Sequence, residues 1–479
     1  MAGANTYALS TWMFLRLLGF IYFTAFVSLA TQIRGLIGSN GVVPAIDQLN
    51  RYRAGGIGRI LRFPTLLWLN SSDPFLSGLC WAGAALSILL IVGFAPMPVL
   101  ILLWLFYLSL FTASGPFLGY QWDILLLEAG FIAIFVAPVD ILPRFPPPAS
   151  PSPVAIALLW WLLFRLMWSS GLTKILSGDR RWRDLSAVAF HYETQPLPTP
   201  LGWHLHQLPL WFHRVSTAFV LVIEVIVPFF IIIPALRPLA ALLFIILMLL
   251  IELTGNYAFF NLLGIALCIP LFTDASLARF LSLENWQPVP ASAVAIGISI
   301  VPAVIILLLS VVPMTLLFHR ELIWPSLFAD AIALLTPFRF VNSYGLFSIM
   351  TIERPEIIIE ASNDGVEWTE YEFKYKPGDI KRAPLFVAPH QPRLDWQMWF
   401  AAMGFYHNHL WIKRLMFRLM ESEPAVRALL KLNPFQKDRP RYIRAVLYDY
   451  RFTTRSERQS TGAWWRRERR GLYGPVIEL

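Results

Sequence analysis

Residues 165–213 read RLMWSSGLTKILSGDRRWRDLSAVAFHYETQPLPTPLGWHLHQLPLWFH, and the interpretation of the rest of the chain depends on this stretch. It lies between strongly apolar segments, yet it is rich in charged and aromatic residues and contains four prolines. Ordinary connections between membrane helices are shorter, and prolines stiffen this one. We therefore predict a long central loop at about residues 169–214. It should lie on a membrane surface, with its aromatic side chains among the lipid headgroups and its charged side chains in water.

The composition is that of a membrane protein. Of the 479 residues, 57% are hydrophobic and only 14% are charged, whereas a soluble domain carries about 25% charged residues. The 19 Trp and 36 Phe would supply aromatic belts at both interfaces. The net charge of +9 is concentrated near the C-terminus, where a basic tail suits anionic lipid. We expect the lipid bilayer as a partner and no nucleic acid.

Apolar runs long enough to cross a bilayer recur through the first 337 residues. There are about eight or nine, at about residues 12–31, 75–93, 98–113, 124–142, 154–168, 215–233, 239–254, 259–272 and 291–318. The predicted fold class is an α-helical polytopic membrane protein with a small C-terminal α+β domain, rich in strands, outside the membrane. We place the multi-span domain at residues 1–337 and the C-terminal domain at residues 338–479. With a cytoplasmic N-terminus and nine spans, the central loop and the C-terminal domain share the outer side.

Alternating residues predict the strands of the C-terminal domain. Residues 370–376, EYEFKYK, alternate charge with aromatic side chains, which is typical of a strand with one packed face and one wet face. Asn363-Asp364-Gly365 predicts a hairpin turn between this strand and an earlier one at residues 357–359. Residues 441–452 alternate in the same way.

Charged residues within or beside the predicted spans are candidates for function. Because an ion inside the bilayer is costly, Glu128, Arg165, Glu224 and Glu252 should face one another, polar backbone or a cavity. Glu252 and Asn256 share a helix face if that helix continues past Thr254. The sequence has no HExxH motif, no Cys/His zinc pattern and no Gly-x-Ser-x-Gly elbow. We therefore predict no metal and no cofactor, and no motif identifies a reaction.

Four stretches carry a family resemblance. They are GYQWDILLLEAGF at 119–131, RLMWSSGLTK at 165–174, FHYETQPLP at 190–198 and LTGNYAFFN at 253–261. In this order, and with NSYGLF and EASNDG in the C-terminal domain, the chain resembles the lipase maturation factor family. The matching positions include Gln121, Trp122, Asp123, Glu128, Arg165, Lys174, His191, Asn256 and Asn261.

The resemblance implies a membrane chaperone. Animal members of the family sit in the endoplasmic reticulum membrane and help secreted lipases to fold and assemble, with the last domain in the lumen. This chain is shorter, lacks cysteine-rich luminal loops and has no retention signal at residues 475–479. We therefore expect an integral protein of a bacterial inner membrane, or of the endoplasmic reticulum if the source is eukaryotic. The C-terminal domain is expected on the extracytoplasmic side.

The first functional hypothesis is a maturation factor, a chaperone that assists folding or assembly of a secreted lipase-like client protein. Arginine and aromatic residues dominate interface hot spots, because they combine large contact area with directional donors. The central loop concentrates these residue types, so we expect the client surface there. Its candidate residues are Arg180, Arg181, Trp182, Arg183, Tyr192 and Trp203.

The alternative is a membrane-embedded enzyme that modifies a protein or a lipid. The family is distantly similar to the transmembrane domain of vitamin K-dependent carboxylases, which allows this interpretation. Lys174 or His191 would then act as the base, and Glu128 or Glu252 would be its partner. The missing catalytic motif favours the chaperone, for which no catalytic residue is assigned. The sequence indicates neither the client nor the oligomeric state.

Overall fold

Helices form the part of the chain before residue 340. The protein is described here from a computed structural model, which covers residues 6–56, 58–283, 286–319, 324–435 and 439–478. The helices are α1 (Ala8–Ala30), α2 (Ile33–Ile37), α3 (Ala45–Tyr52), α4 (Gly58–Arg62), α5 (Asp73–Val92), α6 (Pro96–Ala113), α7 (Gln121–Val136), α8 (Pro153–Leu176), α9 (Arg180–Arg183), α10 (Ala187–Thr194), α11 (Pro200–His206), α12 (Leu210–Val225), α13 (Arg237–Thr254), α14 (Phe260–Cys268), α15 (Asp274–Phe280), α16 (Ala293–Leu316) and α17 (Ser326–Leu335).

Seven of these helices are long and apolar enough to cross a membrane. They are α1, α5, α6, α8, α13, α16 and α12 with the turn that extends it to Ile231. An eighth span results if α14 and α15, which are bent by 105°, are counted together. α7, which we expected to span, has 16 residues, about 24 Å at 1.5 Å per residue, and is shorter than the roughly 30 Å hydrocarbon core. Its first and last turns nevertheless lie at opposite ends of the bundle. The predicted polytopic helical class is confirmed, with seven or eight candidate spans by length and composition in the described residues.

The helices pass between two ends of the bundle. The end of α1, the start of α7 and the end of α13 meet residues beyond 384 at one end, which we call the capped end. At the opposite end, the start of α1, the α5–α6 turn and residues 137–152 surround one cavity. There Asp274 accepts hydrogen bonds from the backbone N–H groups of Ala8 and Leu9, both at 2.8 Å. A carboxylate thus satisfies the first amides of α1 and complements its dipole.

The predicted central loop is largely helical, which corrects the expectation from sequence. α8 continues to Leu176, and three short helices, α9, α10 and α11, precede α12. Residues that suggested a loop begin these helices instead: Asp179 accepts a hydrogen bond from the Arg181 amide at 2.9 Å. Thr199 caps α11 in the same way, and Pro200 occupies the first turn, where its missing N–H has no cost. Residues 177–209 are called the central segment below.

The C-terminal part combines strands with short helices, as predicted. Its strands are β1 (Arg354–Ser362), β2 (Thr369–Glu370), β3 (Glu372–Phe373), β4 (Leu430–Leu432), β5 (Tyr442–Phe452), β6 (Trp465–Leu472) and β7 (Ile477–Glu478). Its helices are α18 (Arg393–Ala402), α19 (Leu410–Met420), α20 (Pro424–Arg427) and α21 (Arg455–Thr461). The main antiparallel sheet has the order β2-β1-β5-β6, with β7 also on β5, and β3 pairs with β4.

The hairpin turn is confirmed, but the strand after it is shorter than predicted. β1 and β2 pair across residues 363–368, and Gly365 has φ +74°, which suits glycine. The alternating run at residues 370–376 contains only the two-residue strands β2 and β3. It breaks because the amides of Tyr375 and Lys376 donate to the Asp395 carboxylate, at 2.8 and 2.9 Å, instead of to a neighbouring strand. Lys376 is buried, so the expected wet face is absent at that position.

The apolar core continues from the bundle into the C-terminal part. Buried side chains of α1, α6 and α7 belong to the same cluster as those of α18 and α19. A second cluster joins Trp203 of the central segment to Tyr450, Phe452 and Trp465 of the sheet. The C-terminal part and the central segment therefore lie at the same end of the bundle, as predicted.

This arrangement predicts which surfaces react from the same side of the membrane. Arg180→Cys in α9 and Val366→Cys in the β1–β2 turn should both be labelled by an impermeant thiol reagent added to one side. Arg144→Cys at the opposite end should be labelled only from the other side. All three positions are exposed, whereas the native Cys80 and Cys268 are buried and give little background. Labelling of Arg180→Cys and Val366→Cys from different sides would contradict the fold.

Candidate functional site

A buried ion pair fixes the C-terminal part to the start of α7. The Arg393 guanidinium, at the first turn of α18, donates from two nitrogens to the two Asp123 oxygens, each at 2.9 Å. Tyr107 donates its hydroxyl to the same carboxylate at 2.5 Å. Both charged side chains are fully buried. A bidentate, charge-assisted contact of this kind is strong and directional, so Asp123 anchors the capped end.

A second buried pair holds the chain where it leaves the bundle for the sheet. Arg165 of α8 pairs with one oxygen of Glu128 in α7, so these two buried charges face each other, as expected. The other Glu128 oxygen accepts hydrogen bonds from the Asn342 amide at 3.0 Å and from the Tyr344 hydroxyl at 2.7 Å. Gln121, two turns before Glu128, accepts from the backbone N–H of residue 345 at 3.3 Å. α7 therefore presents three polar family-motif side chains to the C-terminal part.

Asn256 joins the central segment to the C-terminal part. Its amide nitrogen donates to the carbonyls of Leu197 and Leu385, at 3.1 and 2.8 Å, and its oxygen accepts from the Val387 amide at 2.7 Å. This is possible because α13 ends before Asn256 and residues 255–259 are not helical. An arginine in β1, Arg354, adds donors to the carbonyls of Glu193 and Pro196, both at 2.8 Å.

Glu252 and Asn256 do not share a helix face, because the condition for it, a helix that continues past Thr254, is not met. Gly255 adopts an extended conformation and bridges to Pro198, which ends the helix. A Cβ at this position would lie 2.0 Å from the Gln195 side-chain oxygen and 2.6 Å from the Tyr257 ring, so a larger residue would displace these two hydrogen-bonded side chains. Glu252 instead accepts a hydrogen bond from Asn261 at 2.8 Å.

The aromatic residues of the predicted client surface are buried. The Trp182 indole donates to the Phe347 carbonyl at 3.0 Å. Tyr192 is buried against α12, and Trp203 packs on the sheet. These three side chains do not form an exposed hot spot in this structure.

The arginines of that predicted surface differ in exposure. The Arg180 side chain is 92% exposed, and Arg183 is also exposed. Arg181 is held by Asp179, with a nitrogen–oxygen distance of 2.8 Å. A role of these arginines in client contact stays a prediction.

A cavity of about 440 Å³ lies where α8, α10, α12 and α13 meet at the capped end. Lys174 and Glu224 form an ion pair in its wall, at 2.9 and 2.6 Å from the ammonium nitrogen to the two oxygens. His191 lies in the same wall, and its Nε2 is 2.8 Å from the Tyr257 hydroxyl. Burial, and then the charge of Lys174, lower the pKa of His191 to about 4.

The structure brings together only two of the four residues of the enzymatic alternative. Lys174 and His191 share the cavity, whereas Glu128 is bound to Arg165 and Glu252 to Asn261 elsewhere. Both oxygens of Glu224, which we had not assigned to a site, accept from Lys174, so the lysine is held in a closed ion pair. Among the described residues, no group of three or more His, Cys, Asp or Glu side chains could hold a metal ion.

Sequence reasoning missed the partners supplied by the C-terminal part. Arg354 precedes Pro355 and Arg393 follows Pro392, and no local pattern marks either arginine. Asn342 and Tyr344 lie in the NSYGLF stretch of the family resemblance, which was the available signal. The fold and these contacts define a polytopic membrane protein whose capped end is closed by a strand-containing domain.

Comparison with known proteins identifies the family. The lipase maturation factor transmembrane domain matches residues 9–279, and the lipase maturation factor C-terminal domain matches residues 340–475. The chain is 34% identical to lipase maturation factor 1 of Bos taurus, with 99% of this chain and 90% of that protein covered. It is 33% identical to lipase maturation factor 2 of Gallus gallus, with 98% and 81% covered. The chain belongs to the lipase maturation factor family. No solved structure matches it.

The Asp123–Arg393 pair should be essential for stability. Asp123→Asn leaves Arg393 buried without its opposite charge, which costs about 3–5 kcal/mol. We expect a markedly lower melting temperature in detergent and less protein in the membrane. Asp47→Asn is the matched control, because it breaks the exposed 2.8 Å pair with Arg414, which also joins the bundle to the C-terminal part. An exposed pair is worth about 0–1 kcal/mol; equal effects of the two changes would contradict the assignment.

His390 should make the capped end sensitive to acid. Its Nδ1 is 2.9 Å from the Ser28 hydroxyl of α1, and burial, with the charges of Arg393 and Lys374, lowers the pKa of His390 to about 4. The unfolded chain binds this proton near pH 6.5. Stability should therefore be complete above pH 6.5 and should fall as the pH drops from 6.5 to 4.

Melting temperatures measured across this pH range test the prediction. His390→Gln should reduce the slope of melting temperature against pH. His191 should account for part of the slope that remains, because its pKa is lowered in the same way. A double variant with His191→Gln should flatten it further. A slope that is unchanged in both variants would assign the acid sensitivity to other groups.

Proposed function

We propose that this chain is a membrane-bound maturation factor, a chaperone that assists folding or assembly of secreted lipase-like proteins. The observation that supports this is the extent of the match to lipase maturation factors, which includes both the bundle and the C-terminal part. The alternative of an enzyme related to vitamin K-dependent carboxylases finds no support in these comparisons. The division of the chain at residues 337 and 338 stays a prediction.

The proposal places the capped end on the extracytoplasmic side, because a secreted client folds there. Exposed apolar residues at this end form a candidate client groove, defined by Ile349, Phe400 and Met403 around an open cavity of about 440 Å³. Its inner wall contains the indoles of Trp396 and Trp399. Large exposed apolar surfaces mark interaction sites, and methionine and aromatic side chains adapt to varied partners. An unassembled client exposes apolar surface of its own, which such a groove fits.

Co-expression with a secreted lipase tests this function. Cells that lack the chain should secrete lipase of low activity per mass of lipase protein, and the wild-type chain should restore it. Ile349→Ser with Met403→Ser should fail to restore it although the variant melts normally, because both side chains are exposed. Val366→Ser, an exposed apolar residue in the β1–β2 turn, is the matched control and should restore activity.

The outcomes separate the two parts of the proposal. If loss of the whole chain does not change lipase activity, the maturation function is wrong. If loss of the whole chain lowers lipase activity but the groove variant restores it fully, the client binds outside the groove. A lipase whose covalent mass differs with and without the chain would favour the enzymatic alternative. Labelling of Val366→Cys by an impermeant thiol reagent only from the cytoplasmic side of the membrane would contradict the extracytoplasmic placement.

A further inference from the structure

The cavity at Lys174 has the features of a small-molecule site. Its volume of about 440 Å³ lies within the roughly 300–1,000 Å³ of typical ligand sites, and its walls are mainly apolar. Val215 of α12 and Leu250 of α13 line it, yet they are 61% and 47% exposed on the bundle surface. α12 packs chiefly on α8 and α13 chiefly on α14. The cavity therefore opens between α12 and α13, toward the surrounding lipid.

The polar end of the cavity has no net charge. Lys174 and Glu224 neutralise each other as an ion pair. Burial keeps His191 uncharged at neutral pH, since its pKa is lowered to about 4. A charged headgroup would have to disrupt the ion pair or remain unpaired in a largely apolar site, which is costly. An uncharged head that forms hydrogen bonds suits this end.

The hydrogen bonds around His191 define what that head must offer. The Gln195 amide nitrogen donates to the carbonyls of Tyr192 and Thr254, at 3.3 and 2.8 Å, which directs its oxygen at Tyr257. The single hydroxyl proton of Tyr257 goes to that oxygen, at 2.8 Å. Tyr257 must then accept from Nε2 of His191, so the neutral ring carries its proton there. Nδ1 is left as an acceptor, and no hydrogen bond among the described residues uses it.

We propose that this cavity binds a neutral, hydroxyl-bearing lipid of the monoacylglycerol class. Its hydroxyl donates to His191 Nδ1, and its acyl chain passes between Val215 and Leu250 into the bilayer. Moving an acyl chain from lipid to an apolar cavity changes its surroundings little, because lipid tails are as apolar as the lining side chains. Selectivity therefore comes from the head. This inference goes beyond the proposed maturation function and does not depend on it.

Photolabelling of the full chain in lipid nanodiscs tests the site. The probe is a monoacylglycerol with a diazirine in its acyl chain, and labelled peptides are mapped by mass spectrometry. We expect labels on α8, α12 and α13, removed by excess unlabelled monoacylglycerol but not by the fatty acid of the same chain at pH 8. Equal competition by the ionised fatty acid would overturn the neutral-head assignment.

Two substitutions locate the lipid within the cavity. Ser216→Trp fills the cavity wall on α12 and should abolish the competed labelling, whereas Ser216→Ala at the same position should retain it. His191→Phe removes the acceptor and should weaken competition about three- to tenfold, the range expected for one hydrogen bond. Labelling that persists in Ser216→Trp would place the lipid elsewhere. If His191→Phe does not accumulate, the competition between headgroups in the wild-type protein still decides the outcome.

Discussion

Two acidic residues on one short apolar helix hold the bundle and the C-terminal part together. Asp123 and Glu128 both lie in α7, where a carboxylate without a partner would be costly. Each is neutralised by an arginine, but the contacts are completed by residues that come more than 200 positions later. The bundle and the C-terminal part therefore depend on each other, because neither acid has all of its partners within the bundle alone.

The central segment completes this dependence as a layer between the bundle and the sheet. Its carbonyls accept from Arg354 of β1, and the side chain of Glu193 accepts from the backbone of Phe452 at 2.5 Å. Its Trp203 packs against the sheet, and its Trp182 packs against Met350. Because this segment is packed against both the bundle and the sheet, a shift of one would displace the other. We therefore expect the capped end to move with the bundle as one unit.

Sequence patterns predicted the elements better than they predicted the contacts between them. The spans, the hairpin turn and the long strand β5 are set by local hydrophobic periodicity and turn chemistry, which the sequence displays directly. The burial of Trp182 and Trp203 was not predictable, because the residues that cover them are distant in sequence: Met350 lies against Trp182, and the sheet lies against Trp203. The same limit applies to Arg393, whose partner Asp123 was identified but whose own segment has no distinctive pattern.

The proposed client groove and the lipid cavity share a wall. Tyr257, Phe347 and Met350 line both spaces. His191 is in contact with this wall, since its ring lies 4.7 Å from the Phe347 ring and its Nε2 bonds to Tyr257. A ligand that displaces these side chains on one side changes the shape of the other, and such a coupling is reciprocal by thermodynamic necessity. A lipid bound in the cavity would therefore change client affinity through this shared wall, and a bound client would change lipid affinity by the same factor.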